Sequence, residues 1–235
     1  MVNFKKNDLK PWQKHQWCLV HINGEFIARM ETLLDLYALP YNPDFPVVCV
    51  DERPCQLIGN IVTPLPMRPG SPIKEDYHYQ RHGTCALFIA VEPLRGKRII
   101  SVFKQKRKED YALFMQEIEK MYPNAIRIRT VQDNLNTHTI GSFYETFPAE
   151  EAHRLMNRFE YYYTPKKASW LNMAEIEIAA LSKQCLDQRI PSIAKMKQIV
   201  QSFVKERNRD KVKIQWRFTT PIARTKLERH YGNLN

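Results

Sequence analysis

Three acidic positions stand where carboxylates can do chemistry. Asp51 closes the apolar, β-branched run "PVVCVDE" (46–52), and Asp133 closes "AIRIRTVQD" (125–133) and opens the polar cluster "DNLNTH". Glu175 falls in the first turn of a helical stretch that follows "TPKKASWLN". Carboxylates gathered at one place repel one another unless a cation sits between them. Their hard oxygen atoms suit Mg²⁺, with Mn²⁺ as a substitute. Two such ions about 3.5–4 Å apart activate a water or a 3′-hydroxyl and stabilise the leaving oxygen of a phosphodiester.

Each position also has a plainer reading. An Asp at a strand end is commonly a turn or cap residue, and a first-turn Glu is favoured by the helix dipole. Glu177 competes with Glu175: the two lie about 200° apart around a helix, so both cannot face one site. The apolar stripe Leu171, Ala174, Ile178, Leu181, Cys185 runs between them and does not choose. Glu52 points to the opposite face of its strand from Asp51 and reads as a supporting residue. Asn134 is placed to hold Asp133 or a metal-bound water, and His138 to orient Asp133 or to touch phosphate.

These residues need a frame. "NGEFIARMETLLDLYALP" (23–40) reads as a helix capped by Asn23, with Phe26, Ile27, Met30, Leu33, Leu34 and Tyr37 on one stripe. The strand at 46–52 follows, then a Pro-rich surface excursion over 63–82. "TCALFIAVEP" (84–93) and "KRIISVF" (97–103) form a hairpin, and "KEDYALFMQEIEKMYP" (108–123) a helix. The strand at 125–133 precedes a helical stretch containing "AEEAHRLMN" and the strand "RFEYYY" (158–163). Helices over 172–188 and 193–209, an extended "VKIQWRF" and a last helix over 221–231 complete the chain. A hairpin followed by strands alternating with helices predicts an α/β fold, a mixed five-stranded sheet with helices on both faces. In such sheets the strand ends and the loops after them make the ligand site.

Composition narrows the class. The 235 residues carry a formal net charge of +11, which suits a polyanionic partner. The five cysteines are odd in number and lack C-x-x-C spacing, which argues against a disulfide framework or a zinc site. Cys49 and Cys85, inside apolar runs, read as small core residues. No apolar run is long enough to span a bilayer and no N-terminal signal pattern is present, so the chain reads as cytoplasmic and, by its charge, nucleoid-associated.

The segments "VVCVDE", "VQDNLNTH" and "YYYTPKKASWLNMAEIEIAALSKQCL" resemble the three motifs of the DDE transposases. They are most similar to the bacterial insertion-sequence branch IS-six-thirty, related to the mariner elements. "QLIGNIVTPLPMRPG", "TCALFIAVEPLRGKR", "NTHTIGSFYETFPAEEAHRL" and "WRFTTPIARTKLERHY" extend the resemblance over nearly the whole chain. It implies an RNase H-like catalytic domain over 46–235, preceded by a linker segment with one helix over 1–45. It implies that Asp51 and Asp133 bind metal, and that the third acid, the Glu of "LNxxE", is Glu175. It further implies hydrolysis at transposon ends, strand transfer into target DNA (usually at TA), and a homodimer on DNA.

Lys166 and Lys167, which flank the site, and Lys104, Lys106, Arg107 and Lys108 then become the candidates for tracking phosphates. Trp170 could stack on a base, but reads first as an anchor of the helix start in the core, and Trp12 and Trp17 read as packing residues. Family members usually begin with a paired helix-turn-helix region. About 45 residues precede the first strand here, too few for two such modules. The chain therefore reads as a catalytic part, with a non-catalytic fragment that binds DNA or full-length transposase and regulates it as the alternative.

Overall fold

The computed structural model describes residues 22–134 and 139–232. Its centre is a five-stranded sheet of order β3-β2-β1-β4-β5, formed by β1 (Val47–Asn60), β2 (Tyr79–Glu92), β3 (Lys97–Phe103), β4 (Ile128–Gln132) and β5 (Phe159–Tyr163). The β1–β2 and β2–β3 pairs are antiparallel, and the β1–β4 and β4–β5 pairs parallel. This is the mixed sheet expected from the element order.

The helices are α1 (Gly24–Ala38), α2 (Lys108–Met121), α3 (Gly141–Thr146), α4 (Ala149–Arg158), α5 (Ala174–Leu181), α6 (Ile193–Arg209), α7 (Thr220–Lys226) and α8 (Glu228–Gly232). They cover both faces of the sheet. Alternation along the strands assigns the layers. Val48, Val50, Ala86, Phe88 and Ala90 pack with α2, α3 and α4 around Tyr111, Phe114, Ile118, Phe143 and Leu155. Cys49, Val91 and Val131 point the other way, against α1 and the start of α5. Leu57, Cys85, Leu87 and Ile89 meet α5 and α6 through Ile178, Leu181, Met196, Val200 and Phe203. Asp51 shares the parity of Cys49, so it lies on the α5 face; Glu52 shares that of Val50 and lies toward α2.

The helix caps follow from sequence. Asn23 Oδ1 accepts from Phe26 N at 2.9 Å and opens α1. Asp110 Oδ2 accepts from Arg107 N at 2.9 Å at the start of α2, and Ser192 Oγ accepts from Lys195 N at 3.2 Å to open α6.

Several boundaries differ from the sequence reading. β1 continues eight residues past Glu52, and β2 begins at Tyr79, so the surface excursion is shorter and ends inside the sheet. The reason is that β1 pairs with β2 out to Asn60 and Tyr79, whereas β4 pairs only with Val47–Cys49. Beyond Cys49, among the described residues, the outer edge of β1 carries no strand, which is why Pro54, without an N–H, is tolerated. The strand expected over 125–133 narrows to β4. The helix expected over 172–188 divides into α5 and a π turn at Ser182–Leu186, with a 3₁₀ turn at Ser169–Leu171 ahead of them. "VKIQWRF" joins no strand of the sheet; Ile214 N donates to Pro93 O at 3.1 Å. The last helix is two short ones, α7 and α8. Among the described residues, no helix is long and apolar enough to cross a membrane.

Candidate active site

The parallel pair β1–β4 builds the site. Its register matches Val47 with Arg129, Val48 with Thr130 and Cys49 with Val131. Extended by two residues, the same register sets Asp51 opposite Asp133. Parallel partners point to the same face, and neighbouring strands are about 4.8 Å apart. The two carboxylates therefore come near each other where β4 ends beside β1, close enough for the charge of Asp133 to act on Asp51.

Glu175 reaches them by a longer path. Thr164 N donates to Gln132 O at 3.0 Å, which ties the exit of β5 to the end of β4. Two tight turns follow, Ala168 N to Pro165 O at 3.1 Å and Leu171 N to Ala168 O at 3.0 Å. Lys167 takes φ +60°, the left-handed conformation that lets the chain reverse. Asn172 then anchors the start of α5. Its Nδ2 donates to Val50 O at 2.8 Å and lies 3.4 Å from Asp51 Oδ2, and its Oδ1 accepts from Ala174 N at 3.1 Å. Asn172 is 1% exposed. It is the residue the sequence reading missed. The signal was a polar residue two positions ahead of an apolar helix start.

The electrostatics identify this place. Burial pushes the Asp51 carboxyl up to about 7, opposed by the hydrogen bond from Glu52 N and reinforced by the charges of Glu175, Asp133 and Glu52. That bond, Glu52 N to Asp51 Oδ1, is 2.8 Å. Among the described residues, no three Asp, Glu, His or Cys side chains converge on a common point, as mutually repelling carboxylates would not. The donor set is nonetheless all hard oxygen around a half-buried carboxylate whose charge is penalised, which fits a divalent cation.

Glu177 is elsewhere. It is fully buried, accepts from Arg207 at 2.7 and 2.9 Å, and pairs with Arg98 at 2.9 Å. Glu52 holds Lys106, with Nζ 2.8 Å from Oε1. That bond raises the Lys106 ammonium first, and Asp133 and Asp51 add to it. Lys106 thus stands beside the acids.

The other basic candidates are dispersed. Arg107 pairs with Glu109 and Asp110 on its own helix, and Lys108 pairs with Glu145. Lys104 is exposed. Lys166 and Lys167 are exposed and line a hollow with Asn23, Phe26 and Arg29. Asn134 is exposed beside Asp133. His138, Trp12 and Trp17 lie outside the described residues. Trp170 corrects its expectation: it is 50% exposed and edge-on to Phe218 at 5.5 Å, because the 3₁₀ turn buries Leu171 in its place. An open groove lined by Arg53, Glu175, Ser182, Lys183 and Asp187 runs along α5. Arg53 donates to Ser182 Oγ across it.

A mixed sheet of this order, with Asp51 inside β1 and Asp133 just past the end of its parallel neighbour β4, is that of an RNase H-like fold. The sequence matches the family described as DDE superfamily endonuclease over residues 46–197, and the chain belongs to that family. Solved structures agree on the fold. The Mos1 mariner paired end complex with Mn superposes with a TM-score of 0.57 at 14% identity, covering 94% of this chain and 65% of that one. The Mos1 strand transfer complex gives 0.54 at 15% identity, covering 85% and 64%, and a pre-cleavage Mos1 transpososome 0.54 at 14%, covering 85% and 65%. The chain thus spans about 65% of the length of the Mos1 chain. No curated protein matches the sequence.

Proposed function

We propose that the chain is the catalytic domain of a DDE transposase of the IS-six-thirty branch. It would hydrolyse phosphodiesters at transposon ends and transfer the freed strand into target DNA. The observation that carries the reading is the β1–β4 register, which sets Asp51 opposite Asp133 while Glu175 acts on the same carboxyl from α5. Asp51, Asp133 and Glu175 would hold Mg²⁺ or Mn²⁺. When bound, the ions supply an activated nucleophile and charge stabilisation at the leaving oxygen.

The protein's own groups prepare that chemistry. Asn172 and the Glu52 amide hold the Asp51 oxygens in place, and Lys106 offsets part of the negative field. Lys166, Lys167 and Lys104 would follow the DNA backbone outside the acids, setting position but not sequence. Structures of the Mos1 transposase with its left transposon end support DNA as the partner, and paired ends support a dimer on DNA.

The test is a calorimetric titration with Mn²⁺ of the wild type, Asp51→Ala, Asp133→Ala and Glu175→Ala, with folding checked by circular dichroism. Saturable binding that each folded variant loses is the expected result. Equal heats in all four proteins would overturn the assignment.

A further inference from the structure

We propose that the buried Arg98–Glu177–Arg207 cluster fixes the rotation of α5 about its axis, so that Glu175 and not Glu177 faces Asp51. Glu177 and its two arginines are then positioning residues for the acidic site. This rests on the role proposed above for Glu175.

α5 has eight residues and cannot set its own orientation. A helix this short is not stable alone. Apolar residues lie on both sides of it: Ala174, Ile178 and Leu181 form the buried stripe, while Ile176 is equally apolar and 44% exposed. Burial of apolar surface therefore discriminates weakly between rotations. The charges discriminate strongly. The Glu177 and Arg98 side chains are both fully buried, and that of Arg207 is 15% exposed. Turning α5 by one position would bring Ile176 or Ile178 to the arginines and leave buried cations without a counter-charge. Unpaired buried ions are heavily penalised, while a paired cluster adds little net stability; its best-attested use is to specify register.

The cations cannot follow a rotating helix, because they belong to other elements. Arg98 lies on β3, where its N–H donates to Asn208 Oδ1 and its carbonyl accepts from Asn208 Nδ2, both at 2.9 Å. Its Nη2 donates to Val212 O at 2.5 Å. Arg207 is carried by α6, in a two-pronged bond to both Glu177 oxygens. With Asn172 tied to Val50 O, α5 is held at residues 172 and 177, and Glu175 lies between those two points. The 200° separation of Glu175 and Glu177 sends the two carboxylates to opposite sides.

The experiment titrates the full chain with Mn²⁺ alone. Arg207→Met removes the least buried partner and leaves Glu177 paired with Arg98. Arg207→Lys keeps the charge without the fork. Leu155→Ala, in the core on the opposite face of the sheet, serves as a control for general destabilisation. Removing groups that orient metal ligands typically weakens affinity about 10–100-fold. The expected result is a loss of about tenfold or more in Arg207→Met, partial recovery in Arg207→Lys, and wild-type affinity in Leu155→Ala. Wild-type affinity in Arg207→Met, or equal weakening in Arg207→Met and Leu155→Ala, would overturn the inference while leaving the metal site standing. Absence of Mn²⁺ binding in the wild type would instead overturn the functional reading, and the inference with it.

Discussion

At the scale of the residue, Asp51 carries an electrostatic cost that an apolar or neutral side chain would not. Its carboxyl is pushed up to about 7 by burial and by the neighbouring acids. The sign follows from linkage. A carboxyl raised above its unfolded value favours folding while protonated, and that advantage is lost as pH rises from about 4 through 7. In metal-free buffer, Asp51→Asn should therefore be more stable than the wild type at pH 8, by about 1–3 kcal/mol. The difference should close toward pH 4. Thermal melts of both proteins across that range would check it, and a wild type that is the more stable at pH 8 would contradict the burial argument. The identity of Asp51 as a candidate was legible from a β-branched run ending on acid. The choice of Glu175 over Glu177 was not legible from periodicity, because two positions on one short helix look alike until the partners on β3 and α6 are in place.

At the scale of the element, two joints hold α5 and its surroundings. Asn172 connects α5 to β1. Asn172→Ala would leave the Val50 carbonyl buried without its donor, and should cost about 1–3 kcal/mol in urea denaturation. Its Mn²⁺ affinity should fall as well; unchanged stability and affinity would count against the joint. The second is the β2–β3 turn, where Gly96 has φ +67° and an added Cβ would lie 2.5 Å from the Lys211 carbonyl carbon. Backbone cannot yield there as a flexible side chain could. Gly96→Ala should destabilise by about 1–3 kcal/mol through overpacking and strain, measured by chemical denaturation, and a neutral effect would mean that the segment after α6 moves freely. The hairpin itself was legible from "VEPLRGKRI". Its contact with residues 211–212 was not, because no local signal links positions over a hundred residues apart.

At the scale of the whole molecule, α1 shares a hydrophobic core with the sheet. Met30, Leu33 and Leu34 are at most 2% exposed and pack with Leu171 and with Cys49 and Val131, which stand two residues ahead of Asp51 and Asp133 in the chain. Leu33→Ala should cost about 2–5 kcal/mol, whereas Glu25→Ala on the exposed side should stay within about 0.5 kcal/mol. A Leu33→Ala protein as stable as the wild type would show α1 to be dispensable. The charge of +11 acts at this scale too. If Lys166 and Lys167 neutralise phosphates, replacing both with Ala should weaken binding to any duplex alike and lower the salt slope by about one for each lysine. An unchanged slope in fluorescence anisotropy would remove them from the interface.

By itself, the sequence determined most element types, the cap of α1, the parity of the strands, and the placing of one aspartate on a buried strand and another at the close of a second. Those are short-range matters, set by residue spacing, side-chain shape and the few groups a helix end can use. Only the tertiary structure decided that β1 and β4 are parallel neighbours in the register that sets Asp51 opposite Asp133. Only it showed that β1 runs on past its acid along an edge free of β4, and that α5 is held by a buried ion cluster from two other elements. These outcomes depend on which distant groups must share a low-dielectric interior, where an unpaired charge or an unbonded carbonyl is costly enough to override local preference.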